Sequence, residues 1–254
     1  MNRQTVCVSG ASSGIGESLA ILYAEKGCHL LLGARRFEKL KALEPSLLEK
    51  GAASVLCLPL DVRSRDSVQS FVESGIKALS RLDVLVNNAG LVIGLEPIET
   101  GLIEDWETIF DTNVLGVMRL TQAVIPYMRK EKSGHIIFLG SIAGHQVYEG
   151  GGAYCASKFG VKALARTLKL ELNGSGIRVS SVDPGMVETE FSVVRFRGDK
   201  DKAKQAYKGL TPLNGRDIAE CVYFMSSRPN HVNIDSIVVM PTAQASVTKV
   251  HRQP

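Results

Sequence analysis

Tyr154 and Lys158 stand four residues apart in a stretch, Ala153 to Leu172, whose pattern reads as helix, so a phenol and an ammonium project from one face. Ser141 lies thirteen residues before Tyr154, at the end of an apolar run, His135 to Leu139, that reads as a strand. Gly144, Gly150, Gly151 and Gly152 fill the loop between and let the three side chains converge. A phenol can give a proton to an oxygen or take one from it, an ammonium beside it favours the phenolate, and a hydroxyl can donate to an oxygen on which charge builds. A tyrosine and a lysine at this spacing alone would more often be an incidental surface pair; the remaining motifs change that reading.

Ser9-Gly10-Ala11-Ser12-Ser13-Gly14-Ile15-Gly16 is a glycine-rich turn between a β-branched run, Thr5 to Val8, and a helical pattern through Ile15, Leu19, Leu22 and Tyr23. The backbone amides of such a turn and the positive end of its helix suit a pyrophosphate. Turns before helices also use glycine for ordinary conformational reasons, but position in the first βα unit favours the phosphate reading. Nineteen residues beyond Gly16, where an NAD-binding fold carries a carboxylate for the ribose 2′-hydroxyl, the chain has Arg35 and Arg36. A planar guanidinium can grip a phosphate in two places, so the expected cofactor is NADP; the bland alternative makes both arginines solvated residues opening the next helix.

These groups need a scaffold, and the chain supplies one by alternation. Short apolar runs at Thr5 to Val8, His29 to Leu32, Ser54 to Leu60, Asp83 to Val86, His135 to Leu139, Ile177 to Val182 and Ile234 to Met240 make seven strands. Between them lie helical stretches, with Ser64 a cap for the third and long patterns over Glu104 to Arg129, Ala153 to Leu172 and Asp217 to Ser226. The reading is α/β: a single-domain, Rossmann-type doubly wound parallel sheet of seven strands with helices on both faces, spanning 1–254 with no linker. The segment 187–209, crowded with Arg195, Arg197, Lys200, Lys202, Lys204 and Lys208, reads as a lobe beyond the carboxyl ends of the strands, where ligands bind in such folds.

Composition excludes several other functions. At 254 residues, 44% hydrophobic and 22% charged, the chain is neither disordered nor fibrous and can bury roughly 70% of its unfolded surface. A net charge of +4 spread along the chain is unlike a nucleic-acid binder. No apolar stretch approaches the roughly 20 residues of a membrane span, and the amino end runs into a strand instead of a secretion signal, so a cytoplasmic location is expected. Cys7, Cys28, Cys57, Cys155 and Cys221 are too far apart for a knuckle or redox pair and read as reduced core thiols; the five histidines show no i, i+4 pair, and no metal site is expected.

The glycine turn, Asn87-Asn88-Ala89-Gly90 after the fourth strand, Asn113 in the following helix, Ser141, Tyr154 and Lys158, and Pro184-Gly185 after the sixth strand occur in the order of the short-chain dehydrogenase/reductase family, which the chain resembles over nearly its whole length. The turn departs from the family by opening on Ser9 in place of threonine, and Ser13 stands where many NADP-dependent members carry a basic residue, leaving the 2′-phosphate to Arg35 and Arg36. The resemblance implies hydride transfer between nicotinamide and a carbonyl carbon. Tyr154 is then the proton donor and acceptor, Lys158 its electrostatic partner and a ribose ligand, Ser141 a donor to the carbonyl oxygen, and Asn113 the holder of a proton-relaying water. It adds Gly10, Ser12, Ser13, Gly14, Ile15 and Gly16, Asn88, Ala89 and Gly90, and Pro184, Gly185 and Val187 to the cofactor set, Asp61 and Val62 at the adenine, and Thr189 at the carboxamide. A free tyrosine titrates at about 10, and Lys158 is expected to lower that toward working pH.

A closer resemblance, carried by Val187 to Asp199, by Val238-Val239-Met240-Pro241-Thr242 and by the closing His251-Arg252-Gln253, is to the NADP-dependent 3-hydroxy acid dehydrogenases, a group including serine and allo-threonine dehydrogenases and reductases of small acidic aldehydes. It implies substrates with an acid group beside the reacting carbon, for which Arg195 is the candidate clamp; the alternative leaves Arg195 packing its stem on Phe191 or Phe196 in a solvated lobe. A reductase of a neutral ketone and a non-catalytic NADP sensor are the other readings. The family also implies a homotetramer, and the polar tail from Thr242 to Pro254 is expected to reach a neighbour or fray.

Overall fold

The apolar runs do become strands, and all seven join one sheet. The computed structural model describes residues 3–253. Its strands are β1 (Thr5–Ser9), β2 (His29–Ala34), β3 (Ser54–Pro59), β4 (Val84–Asn87), β5 (Gly134–Leu139), β6 (Ile177–Pro184) and β7 (Ser236–Val239), paired in parallel in the order β3-β2-β1-β4-β5-β6-β7. The helices are α1 (Gly14–Glu25), α2 (Phe37–Glu49), α3 (Arg65–Leu79), α4 (Ile103–Phe110), α5 (Val117–Glu131), α6 (Gly152–Glu171), α7 (Glu190–Arg195), α8 (Lys200–Gln205) and α9 (Gly215–Ser226). Among the described residues no helix is long and apolar enough to cross a membrane.

Strand side chains alternate between two cores. Val6 and Val8 of β1, with Val84 and Val86 of β4, pack under α1, α2 and α9 through Leu19, Leu22, Leu40, Leu47, Ile218 and Val222. Cys7, Leu85, Ile136 and Phe138 point the other way, under α3, α5 and α6, against Phe71, Val72, Leu120, Val124, Val161 and Leu168. Each buried leucine or phenylalanine contributes about 1.5–3 kcal/mol, which is why the strands are apolar on both faces. The connections leave β1 in opposite directions along the sheet, so a crevice opens at the carboxyl ends of β1 and β4.

Three expectations change. The long helix expected from Glu104 to Arg129 is interrupted by a widened π turn, Asp111–Gly116, between α4 and α5. There the side chain of Asn113 is pinned outside the helix, and a Cβ on Gly116 would come within 2.7 Å of Val62. β7 is shorter than the apolar run 234–240, because the Asn233 side-chain amide, not a backbone ladder, meets both the N–H and the C=O of Val179 at 3.0 Å. The tail does not fray but is tied back to its own chain. Gln253 donates its N–H to Gly209 at 2.7 Å, and Arg252 donates to the Ala206 carbonyl at 2.9 Å and to that of Lys208, satisfying carbonyls left over beyond α8. Pro254 lies outside the described residues. Ser64 caps α3 as expected, accepting from Ser67 N–H at 3.2 Å.

Candidate active site

The turn after β1 has the conformation its glycines permit. Gly10 and Gly14 have φ of +68° and +59°, and an added Cβ would lie 3.0 Å from the Ala89 Cα at Gly10 and 3.2 Å from the Thr189 side chain at Gly14. The Ser9 hydroxyl accepts from the N–H groups of Asn88 and Ala89 at 3.1 and 3.0 Å, so serine in place of threonine keeps the one atom the junction needs. The Asn88 side chain returns the contact by donating to the Ser9 and Gly10 carbonyls at 2.8 and 3.1 Å. Gly16 does not line the cleft. A Cβ there would stand 2.3 Å from the Gly10 carbonyl oxygen, so this glycine lets α1 pack against the turn.

Beyond β2, Arg36 reaches back to the turn, donating through Nη2 to Ser13 at 2.5 Å and through Nε to Ser12 at 3.3 Å. Ser13 therefore holds a cation beside the turn. Lys39, one helical turn on, joins Arg36 on Glu190 of α7. Arg35 lines the same cleft and makes no ion pair among the described residues.

Ser141 follows β5 by two residues and caps a short 3₁₀ turn, Ile142–Gly144, accepting from Ala143 N–H at 3.1 Å. α6 then presents Tyr154 and Lys158, both buried, toward that end of the sheet. The Lys158 ammonium donates to the Leu139 carbonyl at 2.8 Å and lies 5.7 Å from the centre of the Tyr154 ring. Burial pushes the Tyr154 phenol up to about 12, against the opposing effects of the Ser141 hydroxyl and the Arg195 guanidinium. Burial also draws Lys158 down to about 8, with the Asp183 carboxylate resisting. The expected lowering of the phenol toward neutrality is thus absent, because desolvation outweighs the lowering by the Ser141 hydroxyl and the Arg195 guanidinium.

Asn113 stands behind the wall. Its side chain accepts from Leu91 N–H and donates to Leu91 C=O, each at 2.8 Å, and donates to Ser157 at 3.1 Å; Ser157 in turn donates to the Tyr154 carbonyl at 2.8 Å. The side chain is thus fully used in locking α6 to the end of β4. Asp183, which the sequence reading passed over, is buried with its carboxylate accepting from Ser181 and paired with His145 at 2.9 Å, whose other ring nitrogen meets Lys162. Only the tertiary structure brings that chain of charged groups to the far side of Lys158.

The lobe lies across this site. Thr189 caps α7, Phe191 meets the Tyr154 ring edge-on with centroids 5.7 Å apart, and Tyr207 is tied to Ser192 at 2.5 Å and to the Val187 carbonyl at 2.8 Å. Arg195, fixed through its own carbonyl to Gly94 N–H at 2.9 Å, turns inward. Its guanidinium lies 5.5 Å from the Tyr154 ring centre and donates to the Tyr148 hydroxyl at 2.8 Å, while its buried Nε has no partner.

The resulting cleft has a volume of about 1060 Å³. Its walls include Gly10, Ser12, Ser13, Gly14, Ile15, Arg35, Arg36, Asp61, Val62, Asn88, Ala89 and Gly90 at one end and Ser141, Tyr154, Lys158, Pro184, Gly185, Val187, Thr189 and Arg195 at the other. Every candidate site residue from the sequence is there except Gly16 and Asn113. Tyr148, Phe191, Lys39 and Glu190 were missed, since nothing in their local spacing sets them apart from other aromatic and charged residues.

Comparison with known proteins places this arrangement. Residues 4–199 match the family model described as short chain dehydrogenase. The chain is 42% identical over 249 residues to the NADP-dependent 3-hydroxy acid dehydrogenase YdfG of Salmonella typhi, covering 97% of this chain and 99% of that one. It is 41% identical over 254 residues to the NADP-dependent 3-hydroxy acid dehydrogenase of Schizosaccharomyces pombe, covering 100% and 98%. Among solved structures, the closed form of serine dehydrogenase complexed with NADP+ superposes with a TM-score of 0.92 at 38% identity, covering 98% of this chain and 100% of that one. With its glycine turn, its buried Ser, Tyr and Lys and its parallel sheet matched along nearly the full length, the chain belongs to the short chain dehydrogenase family.

Proposed function

We propose that this chain is an NADP(H)-dependent oxidoreductase that interconverts a small 3-hydroxy acid and the corresponding acidic aldehyde or ketone. The observation that carries the substrate class is Arg195: a guanidinium 5.5 Å from the ring of the proton-donating tyrosine, held by Tyr148, is placed to meet an acid group next to the reacting carbon.

The cleft fits a phosphorylated dinucleotide. Gly10 and Gly14 offer open backbone where a Cβ would strike Ala89 or Thr189, and Arg36, drawn to Ser12 and Ser13, presents a cation beside that turn. Gly10, Ser12, Ser13, Gly14 and Ile15 would hold the pyrophosphate, Arg35, Arg36 and Lys39 the 2′-phosphate, Asp61 and Val62 the adenine, and Asn88, Ala89, Gly90, Pro184, Gly185, Val187 and Thr189 the remainder. When bound, the nicotinamide supplies or accepts the hydride.

The protein's own part is proton transfer and charge stabilisation. Tyr154, protonated at neutral pH because burial holds its phenol near 12, gives its proton to the carbonyl oxygen in reduction. Ser141 donates to the same oxygen as charge builds on it. The Lys158 ammonium stabilises the phenolate left behind, and the Asn113 backbone, with its side chain already occupied, is left to hold the relay water. Turnover should therefore be at least about tenfold higher, as kcat/KM, for L-serine, 3-hydroxypropionate or sulfonated aldehydes than for hydrophobic ketones of similar size. NADP(H) absorbance read across that panel is the test, and a reversed order would remove the acid-substrate reading.

We also place the active form as a homotetramer in the cytoplasm. Leu115 and Phe159 are exposed where the π turn meets α6, an apolar patch suited to pairing with a second copy, and Phe224 and Val238 are separately exposed on α9 and β7. Five free cysteines, four of them buried, suit a reducing compartment. Light scattering should give a mass four times that of the chain.

A further inference from the structure

Among the described residues, Glu190 is the one carboxylate paired with Arg36 and Lys39 beside the glycine turn. Its Oε2 lies 2.7 Å from Arg36 Nη1 and its Oε1 3.3 Å from Lys39 Nζ. The other two nitrogens of Arg36 are already committed, Nη2 to Ser13 at 2.5 Å and Nε to Ser12 at 3.3 Å, so Glu190 takes the part of the guanidinium fork that remains. The carboxylate comes from the lobe, not from the β2–α2 segment, and its chain neighbours are Thr189, in contact range of the glycine turn, and Phe191, against Tyr154.

We propose that Glu190 is a specificity-determining residue that competes with the cofactor's 2′-phosphate for Arg36 and Lys39, and so weakens binding of the phosphorylated cofactor without affecting its unphosphorylated counterpart. This rests on the reading of Arg36 as a 2′-phosphate ligand. A 2′-phosphate carries nearly two negative charges and three acceptor oxygens against the single charge of a carboxylate, so it wins the fork, but it must first break the two contacts and then sit beside a displaced anion. All three side chains are about half exposed, 48%, 52% and 50%, so the ion pairs are weak enough to exchange. The two cations hold the Glu190 carboxyl below the usual carboxylate range, Arg36 most strongly, so the competing charge is present throughout the working pH range.

The test is equilibrium binding by calorimetry on the full chain, with adenosine 2′-monophosphate, NADP+ and NAD+ as probes. Glu190→Gln should lower the Kd of adenosine 2′-monophosphate and of NADP+ by about three- to tenfold at low ionic strength, leave NAD+ within about twofold, and lose most of the gain in about 0.5 M salt. Arg36→Met is measured alongside. If it weakens adenosine 2′-monophosphate while Glu190→Gln leaves that ligand unchanged or weaker, the competition is overturned and the Arg36 reading stands. If Glu190→Gln tightens NAD+ as much as NADP+, the effect belongs to a loosened lobe and the proposal fails. If Arg36→Met changes nothing, the underlying reading fails first.

Discussion

Tyr154→Phe should lower kcat in the direction of reduction by about 10²–10⁴-fold while leaving the Kd of NADPH within about twofold. The substitution removes one oxygen and keeps the ring that packs against Phe191 and lies near the guanidinium of Arg195. What is lost is the phenol beside Ser141 and Lys158. Stopped-flow absorbance with an acidic aldehyde, and fluorescence titration of NADPH, check the two halves separately; wild-type kcat in the variant would end the proton-donor role. The wild-type pH profile carries the same chemistry. The phenol, raised to about 12, remains protonated below pH 9 and so is ready as an acid, whereas Lys158 loses its proton near 8. Reductive kcat should therefore hold steady below pH 7 and fall as pH rises through about 8, where the charge that stabilises the departing phenolate disappears.

Arg195→Met should reduce kcat/KM for acidic substrates by about 100-fold and for neutral aldehydes by no more than about threefold. The methionine keeps an apolar stem near Tyr154, so packing in the lobe changes little, while the planar donor beside the Tyr154 ring is gone. Arg195→Lys retains charge without the fork and should fall between the two. Because the guanidinium also favours the Tyr154 phenolate, a small loss common to all substrates is expected; an equal large loss on acidic and neutral substrates would mean that Arg195 acts on the tyrosine alone. Steady-state kinetics on paired substrates separates these outcomes.

The scaffold was open to reading because its signals are local. Strands buried on both faces must be apolar, so each appeared as a short run, and the alternation with helices left a parallel doubly wound sheet as the arrangement that buries them. The arrangement of the candidate site was equally legible: Tyr154 and Lys158 declare one helix face by their spacing, and the glycine turn declares a positive-φ backbone before a helix. Partners that come from distant parts of the chain were not. Lys39 gains meaning only when Glu190, 151 residues away, arrives from the lobe to share it, and Asp183 only when β6 places it beside His145. The π turn at Asn113 was hidden because its cause lies outside the helix: it is the Leu91 backbone that draws Asn113 out of the helical register. Sequence alone determined the elements, their order and the chemical groups at the carboxyl edge of the sheet, since those follow from periodicity and turn chemistry. The tertiary structure decided the directions in which Tyr154 and Lys158 depart from their free pKa values, the inward aim of Arg195 and the return of the tail onto the turn after α8, because desolvation and long-range contact depend on what is buried together.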